Sequence, residues 1–146
     1  MRLEIITKVD QDYLSVKSGF DEKLFKALNP PFPKVKLSRF DGCKEGDIVS
    51  LRLNFIFFSL TWESLITEDE TTDNEFRFVD EGTSLPFFLK FWRHHHRVVS
   101  DGEGSLIIDD ITFKTPFYLP EFLMYPALYG QFLYRKPIYQ KFFKRK

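Results

Sequence analysis

Hydrophobic and polar side chains alternate along most of this chain, and in many segments the alternation has the period of two that marks a half-buried β-strand. Residues 2–9 read as a first strand. Asp10 can cap a short helix that runs to Lys17 and ends at Gly19, and Asp21 can cap a second over residues 22–28, stopped by Asn29-Pro30-Pro31. Residues 34–40 and 48–55 form a hairpin around Asp41-Gly42 and the polar segment 44–47, with Val49, Leu51, Leu53 and Phe55 on one face. Residues 59–66 and 75–80 form the next, joined by a charged, Thr-rich turn over 68–74, with Phe76 and Phe78 alternating against Glu75 and Arg77. The last pair covers 87–99 and 105–114. Pro116 and Pro120 then break the sheet, and the segment to Lys146 takes helical spacing through Leu128, Gln131, Phe132, Arg135, Ile138 and Phe142, with Pro126 and Pro137 expected to bend it.

The order is therefore one strand, two short helices, six strands and a long terminal helix. Parallel pairing would need crossovers that this order lacks, so the pattern predicts an α+β fold with a single antiparallel sheet whose apolar face is covered by the last helix. The 146 residues fit one domain, residues 1–146, and 43% hydrophobic residues suffice for a core. The 18 Phe, 6 Tyr and 2 Trp either thicken that core or line a cavity, and Phe55, Phe57, Phe58, Trp62, Phe76 and Phe78 read first as packing. Lys plus Arg equals Asp plus Glu at 21 each, which leaves no positive field for a nucleic acid. One cysteine, Cys43, permits no intrachain disulfide and no multi-cysteine metal site; beside Lys44 its pKa is expected to fall slightly, though no histidine stands near it in sequence. Residues 1–6 lack a signal-peptide pattern, and the uncharged run 122–134 is too short to span a bilayer, so a cytoplasmic protein without stable membrane insertion is expected.

All three histidines lie in Trp92-Arg93-His94-His95-His96. An Asp101-Gly102 turn pairs Ser100 with Glu103 and sets His94 opposite Asp109. Trp92, His94, His96, Val98, Ile107, Asp109, Ile111 and Phe113 then share the apolar face, while Arg93, His95, Arg97, Asp110 and Thr112 face outward; a slip of one residue would bring Asp110 opposite His94 instead. A carboxylate on the apolar face needs a partner, and His94 or His96 provides it. The cluster is readable as a structural hydrogen-bond network, a ligand-orienting group, a zinc site short of a fourth ligand, or an acid–base pair. Arg52 is expected in solvent. Arg135 reads as a snorkelling arginine, with the anchoring of an acidic head group as the alternative. The basic, ring-bearing end 141–146 reads as a helix terminus favoured by its dipole rather than a contact with an anionic membrane.

Trp92-x-His94-x-His96-x-Val98 followed by Ile107-x-Asp109-x-Ile111-x-Phe113 resembles the W-x-H-x-H-x-F and I-x-D-x-V-x-Y pattern of uncharacterised members of the SRPBCC superfamily, the START-like, pollen-allergen-like ligand-binding group. Trp62-x-x-x-Ile66, Phe78-x-Asp80 and Phe132-x-Tyr134-Arg135 extend the resemblance over most of the chain. Val98 replaces the usual aromatic, Leu85-Pro86-Phe87 stands where Gly-Pro-Phe is common, and the gap to Trp92 is longer, changes that bear on pocket shape. The resemblance implies a helix-grip fold, a curved seven-stranded antiparallel sheet wrapped around a long C-terminal helix with a cavity between them. Superfamily members bind lipids, sterols and polyketides, and a few catalyse aromatisation, cyclisation or hydrolysis. The expectation is a carrier of a small hydrophobic or amphipathic molecule, without a cofactor or metal. Its ligand-facing residues are expected to be Trp62, Phe78, Trp92, His94, His96, Asp109, Phe113, Phe132 and Arg135. A cyclase- or aromatase-like enzyme using His94, His96 and Asp109, or an interaction module without a ligand, are the alternatives.

Overall fold

The computed structural model describes residues 1–145; the last residue of the basic run, Lys146, lies outside them. The elements are β1 (Arg2–Val9), α1 (Tyr13–Ser18), α2 (Glu22–Ala27), β2 (Lys34–Phe40), β3 (Ile48–Asn54), β4 (Ser59–Thr71), β5 (Glu75–Ser84), β6 (Phe91–Asp101), β7 (Gly104–Lys114) and α3 (Glu121–Phe142). They form one seven-stranded antiparallel sheet in the order β1-β7-β6-β5-β4-β3-β2, so each hairpin pairs with its neighbour in sequence and β1 returns to close on β7. Register shifts leave Thr83 of β5 and Thr67 of β4 as bulged residues, which bend the two strands, and the sheet curls as a half-barrel around α3.

Alternation decides which side chains enter the curl. Leu3, Ile5, Thr7 and Val9 of β1 and Trp92, His94, His96 and Val98 of β6 are all buried, while their sequence neighbours face out. The outer face carries cross-strand ion pairs, among them Arg93 with Glu81 and Glu68, Arg97 with Glu75 and Arg2 with Asp110. These charges explain why 68–74 looks like a turn in sequence. The strand runs on to Thr71, and Glu70 pairs with Arg77 directly across the hairpin, so the charge run is a solvated strand face.

Three other boundaries differ from the sequence expectation. Asp12, not Asp10, caps α1, accepting a hydrogen bond from the Ser15 amide at 3.0 Å. β6 begins at Phe91, because Pro86 and the turn after it hold residues 85–90 out of the sheet. The β6–β7 hairpin turns on Gly102-Glu103 with Asp101 opposite Gly104, and Gly102 takes the positive φ of 60° that a type II′ turn requires at its first position. The register moves by two residues, so every side chain keeps its face.

The interior forms two clusters along α3. One gathers Val16 and Leu24 from the short helices and Phe20 from between them with Phe76, Phe78, Tyr139 and Phe143; the other gathers Leu3, Trp92, Ile111 and Phe113 with Leu128 and Phe132. Pro126 and Pro137 lie within α3, and each removes one helical N–H donor. Among the described residues no helix is long and apolar enough to cross a membrane.

Candidate functional site

Three adjacent strands build the site. β6 carries His94 and His96 inward, β5 supplies Asp80 and β7 supplies Asp109. Asp80 stands directly opposite His94 and Asp109 directly opposite His96, yet the hydrogen bonds run along the diagonals. His94 Nε2 lies 2.8 Å from Asp109 Oδ1, and His96 Nε2 lies 2.7 Å from Asp80 Oδ2. The imidazoles stack with centroids 3.5 Å apart. The other ring nitrogens face the opposite carboxylates at longer range, His94 Nδ1 at 3.7 Å from Asp80 Oδ2 and His96 Nδ1 at 3.9 Å from Asp109 Oδ1. Aromatic rings hold this stack in place: Phe78 lies flat on His96 at 4.1 Å, Phe132 meets His94 edge-on at 5.1 Å, and the Trp92 indole N–H donates to Asp80 Oδ1 at 3.2 Å.

Burial sets the electrostatics first. It pushes His96 down to about 4, helped by the neighbouring His94 and opposed by the hydrogen bond to Asp80, so His96 is neutral at pH 7. Burial alone would raise the Asp80 carboxyl, but the His96 hydrogen bond, the two imidazoles and the Trp92 indole together hold it below its ordinary value. Asp109 follows the same logic: the push from burial is outweighed by the His94 hydrogen bond, by His94 itself, by the Arg135 guanidinium and by His96. Tyr139 is raised by burial and by Asp109, and so keeps its proton. Cys43 is pushed up to about 12, by burial and then by the surrounding carboxylates, Asp80 foremost; this reverses the slight lowering expected from Lys44 and leaves an inert thiol. On the outer face His95 is half-buried rather than free in solvent, and its pKa is lowered by burial and by Arg97 and Arg93.

A cavity of about 420 Å³ lies between this cluster, the β3–β4 part of the sheet and α3. Its walls are apolar, with Val49, Leu51, Leu53, Trp62, Phe78, Trp92, Leu128 and Phe132 among them, and Asp80, His94, His96 and Arg135 supply polar groups. Of the nine expected ligand-facing residues, Trp62, Phe78, Trp92, His94, His96, Phe132 and Arg135 border the cavity. Asp109 and Phe113 do not: Asp109, 1% exposed, stands behind His94, and Phe113 packs in the core with Leu3 and Trp92. Of the remaining aromatics, Phe55 reaches the cavity and Phe76 packs with Phe20, but Phe57 and Phe58 are exposed at the β3–β4 turn and take no part in the core.

Arg135 is not a snorkelling side chain. Its guanidinium lies over the Phe132 ring at 4.3 Å, and its Nη1 is buried without a protein partner. His96 Nδ1, Asp109 Oδ2 and the Tyr139 hydroxyl are likewise buried and unpartnered. Two residues of this group were missed in the sequence. Asp80 shares the face of Phe76 and Phe78 by simple alternation, a signal for its face but not for the residue it meets on the next strand; Tyr139 had none stronger than its place beside Ile138 on the helix stripe.

Asp80, His94 and His96 also place three donor atoms within 4.8 Å of one another, a spacing that suits a divalent cation. Asp80 Oδ2 and His96 Nε2 already bond each other, and His94 is held by Asp109. The groups therefore satisfy one another as a pair of crossed dyads able to donate hydrogen bonds or relay a proton, and a metal would have to break one of them.

No family model and no curated protein matches the chain in sequence. Solved structures do match in shape. A di-domain aromatase/cyclase, StfQ, of the steffimycin biosynthetic pathway aligns over 97% of this chain and 50% of its own with a TM-score of 0.71 at 10% identity. A norcoclaurine synthase from Thalictrum flavum, solved as a point mutant with a transition-state analogue, aligns over 97% and 92% with a TM-score of 0.66 at 12% identity. The Zhui aromatase/cyclase of a Streptomyces aligns over 80% and 68% with a TM-score of 0.60 at 18% identity. The chain has the helix-grip fold. In this helix-grip protein the cavity lies where sheet and terminal helix face each other, and Asp80, His94 and His96 of the crossed dyads form part of its wall.

Proposed function

We propose that this protein binds a small hydrophobic or amphipathic molecule, of lipid, sterol or polyketide type, inside the cavity. The observation that carries the reading is the make-up of one cavity: walls that are apolar over most of their extent, with the ionisable groups Asp80, His94, His96 and Arg135 set among them. A cavity of about 420 Å³ falls in the range that holds drug-sized ligands. The unpartnered Arg135 Nη1 and His96 Nδ1 are suited to the polar end of such a molecule, because a buried polar atom without a partner costs about 1–3 kcal/mol.

Native mass spectrometry of protein purified from its own host tests this directly. A retained small molecule is expected, together with a rise in melting temperature on adding ligands of the matching class. Leu51→Trp, which fills the cavity from its wall, is expected to remove both effects while the protein stays folded. No adduct and no shift across lipids, sterols and aromatic polyketides would exclude the reading.

A second reading, catalysis of the cyclase or aromatase kind, is favoured by one specific feature: each cavity-facing histidine is held by its own carboxylate, which fixes its orientation for proton transfer. The solved aromatase/cyclases of the same fold add support. On this reading His94→Ala or His96→Ala abolishes turnover with ligand binding nearly intact. Loss of binding in step with turnover would return the histidines to a positioning role.

A further inference from the structure

The end of the molecule where β2 and β4 begin and β3, β5 and β7 finish is unlike the rest of the surface. Four loops meet there, residues 29–33, 55–58, 85–90 and 115–120, and Lys90, the last residue of its loop, is the one charged residue among them. Their tips are aromatic or aliphatic and point to solvent: Ile56 is 80% exposed, Phe57 94%, Phe117 100%, and Phe122 in the first turn of α3 67%. The loops touch in series. Phe32 meets Phe55, Phe55 stacks on Phe58, Phe58 meets Phe87, and the Tyr118 hydroxyl donates to the Phe87 carbonyl. Large apolar side chains in a continuous patch of this kind mark an interaction surface.

The charges that border the patch identify its partner. Lys34 and Lys114 flank two of the loops, Lys90 ends a third, and all three are exposed, while the acid that adjoins a loop in sequence, Glu121, lies 3.3 Å from the Met1 nitrogen. A second copy docking face to face would bring lysines against lysines. A bilayer with anionic headgroups instead offers phosphates to the lysines and acyl chains to the rings. Pro30, Pro33, Phe55 and Phe87 belong both to these loops and to the cavity wall, so the patch is continuous with the cavity.

We propose that the protein docks reversibly on anionic lipid membranes through this loop end, with the aromatic tips at the boundary between headgroups and acyl chains. The contact involves no spanning segment. It goes beyond the ligand reading and is tested without any cargo.

Flotation with phosphatidylcholine vesicles, with and without phosphatidylserine, is the experiment. The full chain is expected to float with the serine-containing vesicles, roughly tenfold more than with phosphatidylcholine alone, and to dissociate as salt is raised. The double variant Phe57→Asp, Phe117→Asp changes two solvent-exposed side chains, so its melting temperature stays near that of the parent while flotation drops by roughly tenfold or more. Lys34→Glu with Lys90→Glu removes the preference for phosphatidylserine. Lys141→Glu with Lys144→Glu, at the opposite end, leaves flotation unchanged. The proposal is overturned if the parent does not float, if the Phe57/Phe117 variant floats as well as the parent, if only the C-terminal lysines matter, or if these tips instead drive a concentration-dependent dimer in analytical ultracentrifugation.

Discussion

The two ends of the curled sheet use the same residue type in opposite ways. At one end Phe20, between α1 and α2, meets the rings of Phe25, Phe76, Phe78, Tyr139 and Phe143 at centroid distances from 5.9 to 6.3 Å, and all of these but the half-buried Phe25 are core residues. At the other end rings of the same kind stand at loop tips in water. Aromatic richness alone therefore specifies neither a core nor a cavity. What decides is cover: α1 and α2 close one end of the curl and pack against strands β2 and β5–β7, while only loops lie at the other, and the cavity opens between.

The sharpest test of that contrast is Phe20→Ala. It removes the ring on which the closed end converges, and a loss of roughly 3–5 kcal/mol is expected in equilibrium urea unfolding. Asp109→Ala acts at the junction of the two ends, leaving His94 buried without its hydrogen-bond partner, and a loss of about 3 kcal/mol is expected by the same measurement. A stability change below about 1 kcal/mol for Phe20→Ala would mean that the closed end is not the rigid half, and one as small for Asp109→Ala would mean that the His94 bond does not brace the junction.

Much of this architecture was legible in the chain, for a physical reason that also explains the failures. Side chains in a strand repeat with a period of two, so Trp92, His94 and His96 declare a common face whatever the register, and the two-residue error in the β6–β7 turn changed no assignment of face. It did change partners: His96, not His94, stands opposite Asp109, and His94 reaches that carboxylate only on the diagonal. Asp80 escaped because its place beside the histidines depends on how β5 pairs with β6 across the 85–90 loop, a register that no short turn motif fixes. The exposure of Phe57 and Phe58 was hidden because a run of rings reads alike in a core and on a loop; only the end of β3 at Asn54 separates them.

The dyads that link the two ends predict an acid response. His96 titrates near 4 when folded and near 6.5 when unfolded, so the unfolded chain takes up the proton first as pH falls. Stability is at its plateau above about pH 6.5 and falls on the order of 2–3 kcal/mol toward pH 4. His95, also lowered, adds in the same direction. Below that range Asp80 and Asp109, held under their ordinary values, lose their contribution as pH drops through the unfolded carboxylate range to their own lower values. Urea unfolding at a series of pH values checks this, and His96→Gln is expected to flatten the profile between pH 6.5 and 4 while keeping a donor toward Asp80.

The smallest expected effect is the most telling about the open end. Phe57→Ser removes a whole ring, yet the side chain is 94% exposed and forms part of neither core cluster. Its removal is expected to change stability by no more than about 0.5 kcal/mol, an order of magnitude less than Phe20→Ala. The loop end thus keeps a large apolar side chain that folding does not require, and the stability of this variant, measured beside its vesicle flotation, separates the two roles: unchanged unfolding with lost flotation is the signature of a residue retained for contact. If Phe57→Ser instead costs as much as a core ring, the tip is packed in solution, and the distinction between a closed and an open end fails.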